Sequence, residues 1–130
     1  DRLSRFTILT KLADRSAAAT ADALITRLAG LPVRSITSDS GPENALHEKV
    51  SAHLNASFFF CHPYHSWEKG TIENRNGVIR RYLPRGTNLD DISQAELDDI
   101  ASEINNRPMK CLNFSTPYEV LLANNVALRN

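Results

Sequence analysis

The alternation of apolar and polar positions predicts strands and helices in turn along the first half of the chain. Residues 6–12 (FTILTKL) are mostly β-branched, aromatic or aliphatic, which predicts a strand. Apolar residues at helical spacing then predict a helix that Asp14 or Ser16 caps and Gly30 ends. The elements predicted next are a short strand at 33–38, a helix after Pro42, and a strand at 57–61 whose apolar run suits burial on both faces.

The second half of the chain is predicted to be a loop followed by helices. Residues 62–71 contain Pro and Gly, which favour an irregular loop, and helical spacing then resumes as far as Pro84. Two capping boxes predict the starts of two closing helices. The capping pairs are Ser93 with Glu96 and Thr116 with Glu119. Strands that alternate with helices, followed by extra helices, predict an α/β fold.

The composition fits one domain and limits the kinds of partner that the chain is expected to bind. The chain has 130 residues, with 15 Lys plus Arg balanced by 15 Asp plus Glu. An evenly basic surface is therefore absent, and any contact with nucleic acid has to come from a local patch. No apolar run approaches the roughly 20 residues that cross a bilayer, so we expect a cytoplasmic protein without a membrane partner. Cys61 and Cys111 are expected to be reduced thiols.

Two acidic residues are the candidates for chemistry. Asp39 follows the strand predicted at 33–38, and Glu73 lies in the first turn of the helix after the loop. If the two predicted strands are neighbours, both carboxylates meet at one edge of the sheet, where α/β proteins place their sites. Carboxylate oxygens suit Mg²⁺ or Mn²⁺ better than zinc. Spacing alone favours two solvated acids at helix starts over a shared site.

Three segments carry a family resemblance: 37–44 (TSDSGPEN), 63–77 (PYHSWEKGTIENRNG) and 105–121 (NNRPMKCLNFSTPYEVL). They resemble the patterns T-x-D-x-G-x-E, P-x-x-P-W-x-x-G-x-x-E-x-x-N and N-x-R-P-x-x-x-L-x-x-x-T-P-x-E of insertion-sequence transposases with a retroviral-integrase-type (DDE) catalytic core. The opening DRLSRFT is similar to that family's turn between its second and third strands. One departure is His65-Ser66-Trp67, where the family commonly has Ser-Pro-Trp.

The resemblance implies a ribonuclease H-like α/β fold, truncated so that its first two strands are missing. Residues 1–86 would form the partial core and residues 87–130 a C-terminal helical extension. It implies a DNA transposase, a polynucleotidyl transferase in which three carboxylates hold two Mg²⁺ or Mn²⁺ ions for DNA cleavage and strand transfer. Asp39 and Glu73 would be the second and third carboxylates. Because the first would lie upstream of residue 1, we expect the fragment itself to be inactive.

Further residues are assigned through the same resemblance. A basic neighbourhood around the Glu73 helix would contact DNA. Without the resemblance, Arg80 would be interpreted as an exposed helix residue paired with a nearby acid. Glu43 and Trp67 would support the site, Trp67 by anchoring its loop or by stacking on a base. Cys61, His62 and His65 match no standard four-ligand zinc set. The residues assigned to DNA binding are Lys69, Asn76, Arg80 and Arg81.

The implied partners are transposon-end and target DNA, in a bacterial cytoplasm at the nucleoid, and a second copy of the chain. Residues 6–12, without their partner strand, are expected to pair with another copy or with the strand at 33–38. Two other functions stay open. The chain would then be a non-catalytic DNA-binding or assembly remnant, or a ribonuclease H-type nuclease without strand transfer.

Overall fold

The computed structural model describes residues 1–63, 65 and 70–129, with side chains as far as residue 124. The chain divides into two compact units. The strand unit comprises Leu12–Ile72, and the helical unit comprises Asp1–Lys11 together with Glu73–Asn130. Within the described residues, no helix is long and apolar enough to cross a membrane.

The strand unit is built on two parallel strands, β1 (Ser35–Ser38) and β2 (Ser57–Phe60). Ser35 pairs with Ser57 and Ser38 with Phe60, so both strands end at the same edge, as their order along the chain predicts. Two helices complete the unit. These are α1 (Ala17–Leu28) and α2 (His47–Leu54).

Packing of α1 against α2 forms the core of the strand unit. Ala21 and Val50 are each only 2% exposed, and Ala56, just before β2, is 6% exposed. The Ser16 hydroxyl accepts the backbone N–H of Ala19 at 3.1 Å, which confirms Ser16 as the cap of α1. Gly30, with a φ of 79°, adopts the left-handed conformation that ends helices and confirms the predicted stop.

The prediction that the 57–61 strand is buried on both faces is wrong. The rings of Phe58 and Phe60 contact His47 of α2, at centroid distances of 5.7 and 4.9 Å. Phe59 points to the opposite face and is 55% exposed. On the face of β2 that α2 contacts, Phe58 is half-buried and Phe60 is still 37% exposed, so neither face of the strand is fully buried.

The helical unit contains three α-helices. The first of them begins three residues earlier, at Gly70, in the part of the chain assigned to the strand unit. Their bounds are α3 (Gly70–Tyr82), α4 (Gln94–Asn105) and α5 (Pro117–Arg129). The capping box of Ser93 and Glu96 is present at the start of α4, and Thr116 and Glu119 make the reciprocal pair before α5. The apolar core of this unit is formed by Leu83, Leu97, Ala101 and Ile104.

The strand predicted at 6–12 does not form. The structure has no regular secondary structure there, and in the described sheet β1 pairs with β2 alone, so the expected pairing of 6–12 with 33–38 is also wrong. The residue types favour an extended backbone, but a strand needs a neighbouring backbone to bond to. Here side chains of α4 bond to that backbone instead. Pairing with a second copy stays a prediction.

Candidate functional site

Asp39 is the first residue after β1, at the edge where both parallel strands end. The backbone N–H of Cys61 donates to the carbonyl of Ser38 at 2.8 Å, so the pairing continues up to this point. Asp39 is exposed, and its backbone carbonyl is fixed by the side-chain amide of Asn44 at 3.1 Å. The backbone is thus held on both sides of the edge.

The turn after Asp39 contains the Gly and Glu of the T-x-D-x-G-x-E pattern. Pro42 begins a short 3₁₀ turn (Pro42–Asn44), and Asn44, only 9% exposed, reaches back to Asp39. The carboxylate of Glu43 folds over Gly41, where any Cβ would collide with it. A side chain at position 41 would displace that carboxylate, which is the far end of a flexible side chain and can move. That Glu43 supports the site stays a prediction.

Glu73 lies in the first turn of α3, as the sequence predicted. At 100° per residue, Asn76 and Arg80 lie on the same side of the helix as Glu73, and all three are exposed. The opposite side of α3 contains the half-buried Arg75 and Tyr82. The helix is therefore oriented so that its acidic residue and one basic residue share an open face.

The basic residues of α3 have different surroundings. Arg80 donates to the carbonyl of Leu83 at 3.5 Å, beyond the end of the helix, and makes no ion pair with an acid in the described contacts. Arg81 is exposed in the last turn. Lys69 and Trp67, predicted to bind DNA and to support the site, lie outside the described residues.

Two residues that were not predicted from the sequence hold the side of α3 opposite to Glu73. Arg75 donates to the carbonyl of Arg5 at 2.6 Å and lies 3.3 Å from the Met109 sulfur, and burial lowers its pKa. Tyr82 donates to Glu103 at 2.9 Å, and this hydrogen bond is the main cause that raises the Tyr82 pKa. Neither residue stands at a defined position of the three motifs, so the sequence gives no signal for these contacts.

The two candidate ligands belong to different units, Asp39 to the strand unit and Glu73 to the helical unit. Their convergence and their shared metal binding stay predictions. In the described part of the chain, no group of three or more His, Cys, Asp and Glu residues is arranged to hold a metal ion. Cys61 and Cys111 are free thiols, of which Cys61 is half-buried and Cys111 is exposed.

Comparison with known proteins identifies relatives over most of the chain. The transposase of insertion sequence element IS1086 from Cupriavidus metallidurans is 43% identical over 124 residues, which are 93% of this chain and 37% of that protein. The transposase InsI of IS30A from Escherichia coli K12 is 40% identical over 93% of this chain and 32% of its own length. The chain thus spans about a third of the length of these curated relatives. No protein-family model matches it.

Among solved structures, the catalytic core domain of BIV integrase superposes with a TM-score of 0.75 at 20% identity. The match covers 98% of this chain and 84% of that chain. At this identity the likeness concerns the fold, and it confirms the predicted ribonuclease H-like α/β class. The sequence relatives confirm the predicted resemblance to insertion-sequence transposases.

Proposed function

We infer that this chain, a homologue of insertion-sequence transposases with the fold of a retroviral integrase core, is part of a DDE transposase catalytic domain. The longer protein would cut donor DNA and join its 3′ ends to a target. The observation that carries the proposal is the position of Asp39, directly after β1 at the edge where both parallel strands end. Ligands of α/β proteins bind at the carboxyl ends of their strands.

In this proposal Asp39 and Glu73 hold divalent ions. Both side chains are exposed, both are carboxylates, and hard oxygen donors of this kind fit Mg²⁺ or Mn²⁺. When bound, the ions supply charge stabilisation and activation of the attacking oxygen for in-line phosphoryl displacement. The chain's own contribution is to fix the backbone beside each ligand. Asn44 holds the backbone at Asp39. On α3, the contacts of Arg75 and Tyr82 hold the side of the helix opposite to Glu73.

DNA is the proposed substrate, and α3 the proposed contact. Asn76 and Arg80 share the exposed face of Glu73, so a phosphate near the proposed metal site lies within the region they cover. Arg81 extends the basic character into the last turn of α3, and Lys69 precedes the helix in the sequence. A homo-oligomer bringing two DNA ends together completes the proposal.

The test is a strand-transfer assay with the intact transposase that contains this chain, in Mg²⁺ or Mn²⁺. Asp39→Asn and Glu73→Gln should each reduce cleavage and joining by about 10³-fold or more, because losing a metal ligand costs several kcal/mol of transition-state stabilisation. Glu48→Gln is the matched control, since Glu48 is also an exposed first-turn acid, in α2. It should retain full activity.

The other outcomes separate the alternatives. Cleavage without joining, abolished by Asp39→Asn, would indicate a ribonuclease H-type nuclease. DNA binding that both substitutions leave unchanged, without any cleavage, would indicate a non-catalytic remnant. The 130-residue chain alone should neither cut nor join DNA, because the resemblance supplies only two of three carboxylates. Strand transfer by this chain alone would contradict the assignment of ligands.

A further inference from the structure

Residues 7–11 are held by side-chain amides rather than by a strand. The Asn105 amide accepts the backbone N–H of Thr7 at 2.8 Å and donates to the carbonyl of the same residue at 2.8 Å. At the other end of α4, the Gln94 amide accepts the N–H of Lys11 at 2.8 Å and donates to the carbonyl of Leu9 at 2.9 Å. Each amide thus satisfies one donor and one acceptor of the extended backbone, as a neighbouring peptide group would.

The spacing of these bonds follows the geometry of a strand edge. In extended backbone, alternate residues present their N–H and C=O groups to the same side. Thr7, Leu9 and Lys11 are alternate residues, and all of them bond to α4. Gln94 and Asn105 are eleven positions apart, which at 100° per residue places both on one line along the helix. Both amides therefore lie on the side of α4 that faces the same edge of the extended backbone.

Burial makes the Asn105 contact the stronger one. Asn105 is 4% exposed and Thr7 is 9% exposed, so neither group has water as a substitute partner. The Gln94 contact is more exposed, but Lys11 reinforces it, because its ammonium group donates to the carbonyls of Asp90 and Ile92 at 3.2 and 2.9 Å. The segment is fastened to both ends of α4.

The opposite side of α4 contacts α3. Glu103 accepts the hydroxyl hydrogen of Tyr82 at 2.9 Å, and Arg107, just beyond α4, donates to the Tyr82 oxygen at 3.1 Å. Glu103 and Arg107 also lie 3.7 Å apart as an ion pair. Tyr82 is the last residue of the helix that contains Glu73. One helix thus joins residues 7–11 to the end of α3.

We propose that Asn105 and Gln94 are positioning residues, a pair of amides that bond to one edge of the extended backbone of residues 7–11 as the peptide groups of a strand would. The N-x-R-P pattern then has a physical meaning. Its Asn fastens the extended segment and its Arg fastens Tyr82 on the other side of α4. The amide contacts are independent of the proposed function. Only the further step, that they help to position the helix of the metal ligand Glu73, rests on it.

Amide hydrogen exchange of the 130-residue chain tests the contacts residue by residue. Asn105→Asp keeps the acceptor for the Thr7 N–H but turns a second oxygen toward the Thr7 carbonyl. At neutral pH the exchange protection of Thr7 should fall by about 10- to 100-fold, because a buried acceptor loses its donor. Asn106→Asp is the matched control, since the Asn106 side chain bonds only within its own turn, to Ser102.

The pH profile distinguishes this role from a general packing effect. A buried carboxyl group beside a carbonyl has a raised pKa, so its neutral form is favoured in the folded chain. Once neutral, the acid again donates to the Thr7 carbonyl, and the protection of Thr7 in Asn105→Asp should recover as the pH falls through that pKa. Protection that stays low in acid, or an equal loss in Asn106→Asp, would overturn the proposal.

A second variant tests the proposal without touching the buried amide. Gln94→Ala should lower the exchange protection of Lys11 by about 10-fold while leaving that of Thr7 within about twofold. Asp99→Ala, an exposed change on another side of α4, should affect neither. Unchanged protection of Lys11 in Gln94→Ala would overturn the role of the second amide even if Asn105→Asp fails to fold. None of these readouts depends on metal or DNA, so they stand apart from the strand-transfer assay.

Discussion

Arg75 links three parts of the helical unit through one guanidinium group. Its contacts are the carbonyl of Arg5 at 2.6 Å and the sulfur of Met109 at 3.3 Å. Arg5 has a φ of 62°, a left-handed conformation that costs a side chain other than glycine about 1–2 kcal/mol. The hydrogen bond from Arg75 therefore stabilises a turn that the backbone alone disfavours. Arg75 is half-buried, which is the main cause that lowers its pKa, and a guanidinium partly removed from water needs acceptors of this kind.

Replacing Arg75 with Met should lower the free energy of unfolding by about 1.5–3 kcal/mol, because a hydrogen bond from a charged donor is lost while the aliphatic stem stays. Urea denaturation of the 130-residue chain measures this difference. Arg81→Met is the control, since Arg81 is exposed on the same helix, and its effect should stay within about 0.5 kcal/mol. Equal effects of the two substitutions would show that the Arg5 and Met109 contacts contribute nothing.

At the scale of elements, local signals explain which predictions succeeded. The starts of α1, α4 and α5 depend on capping side chains within three residues, and each was predictable from the sequence. Residues 6–12 have equally clear strand composition, yet their conformation depends on side chains about 80–100 positions away. Asp39 and the turn position of Glu73 were predictable from motifs. Arg75 and Tyr82 were not, because helical spacing alone does not reveal which residues a helix contacts.

The capping box of α4 gives a prediction with a defined pH dependence. Hydrogen bonds from Ser93, first from its backbone and then from its side chain, lower the pKa of Glu96. A carboxyl group whose pKa is lower in the folded than in the unfolded chain stabilises the fold at pH values above its unfolded-state pKa. This stabilisation is lost as the pH falls through the folded-state pKa. Glu96→Gln keeps the size of the side chain but removes its charge, so it should destabilise the chain at neutral pH because the Ser93 backbone N–H loses a charged acceptor. Denaturation over a pH series should show that this difference shrinks in acid, and a constant difference would contradict the reciprocal pair.

Over the whole molecule, zero net charge hides an uneven distribution within the helical unit. The end of α3 and the segment after it are basic, whereas the segment before α4 and α4 itself are acidic. These side chains are exposed, so the two signs act on different parts of the surface. A DNA phosphate would meet the first group favourably and the second unfavourably. The exposed residues are Arg80, Arg81 and Arg85 on the basic side, and Asp90, Asp91, Glu96, Asp98, Asp99 and Glu103 on the acidic side.

Under the proposed function, this distribution predicts how the salt concentration affects DNA binding by the longer protein. Each phosphate neutralised by a basic side chain contributes about 0.9 to the slope of log affinity against log salt concentration. Arg80→Gln should therefore reduce that slope by about 0.9 and weaken binding to different sequences alike, because a phosphate contact does not read bases. Arg27→Gln, in the last turn of α1, changes net charge equally and should leave the slope unaltered. If both variants reduce the slope equally, net charge rather than the exposed face of α3 governs binding, and the assignment of Arg80 to DNA is wrong.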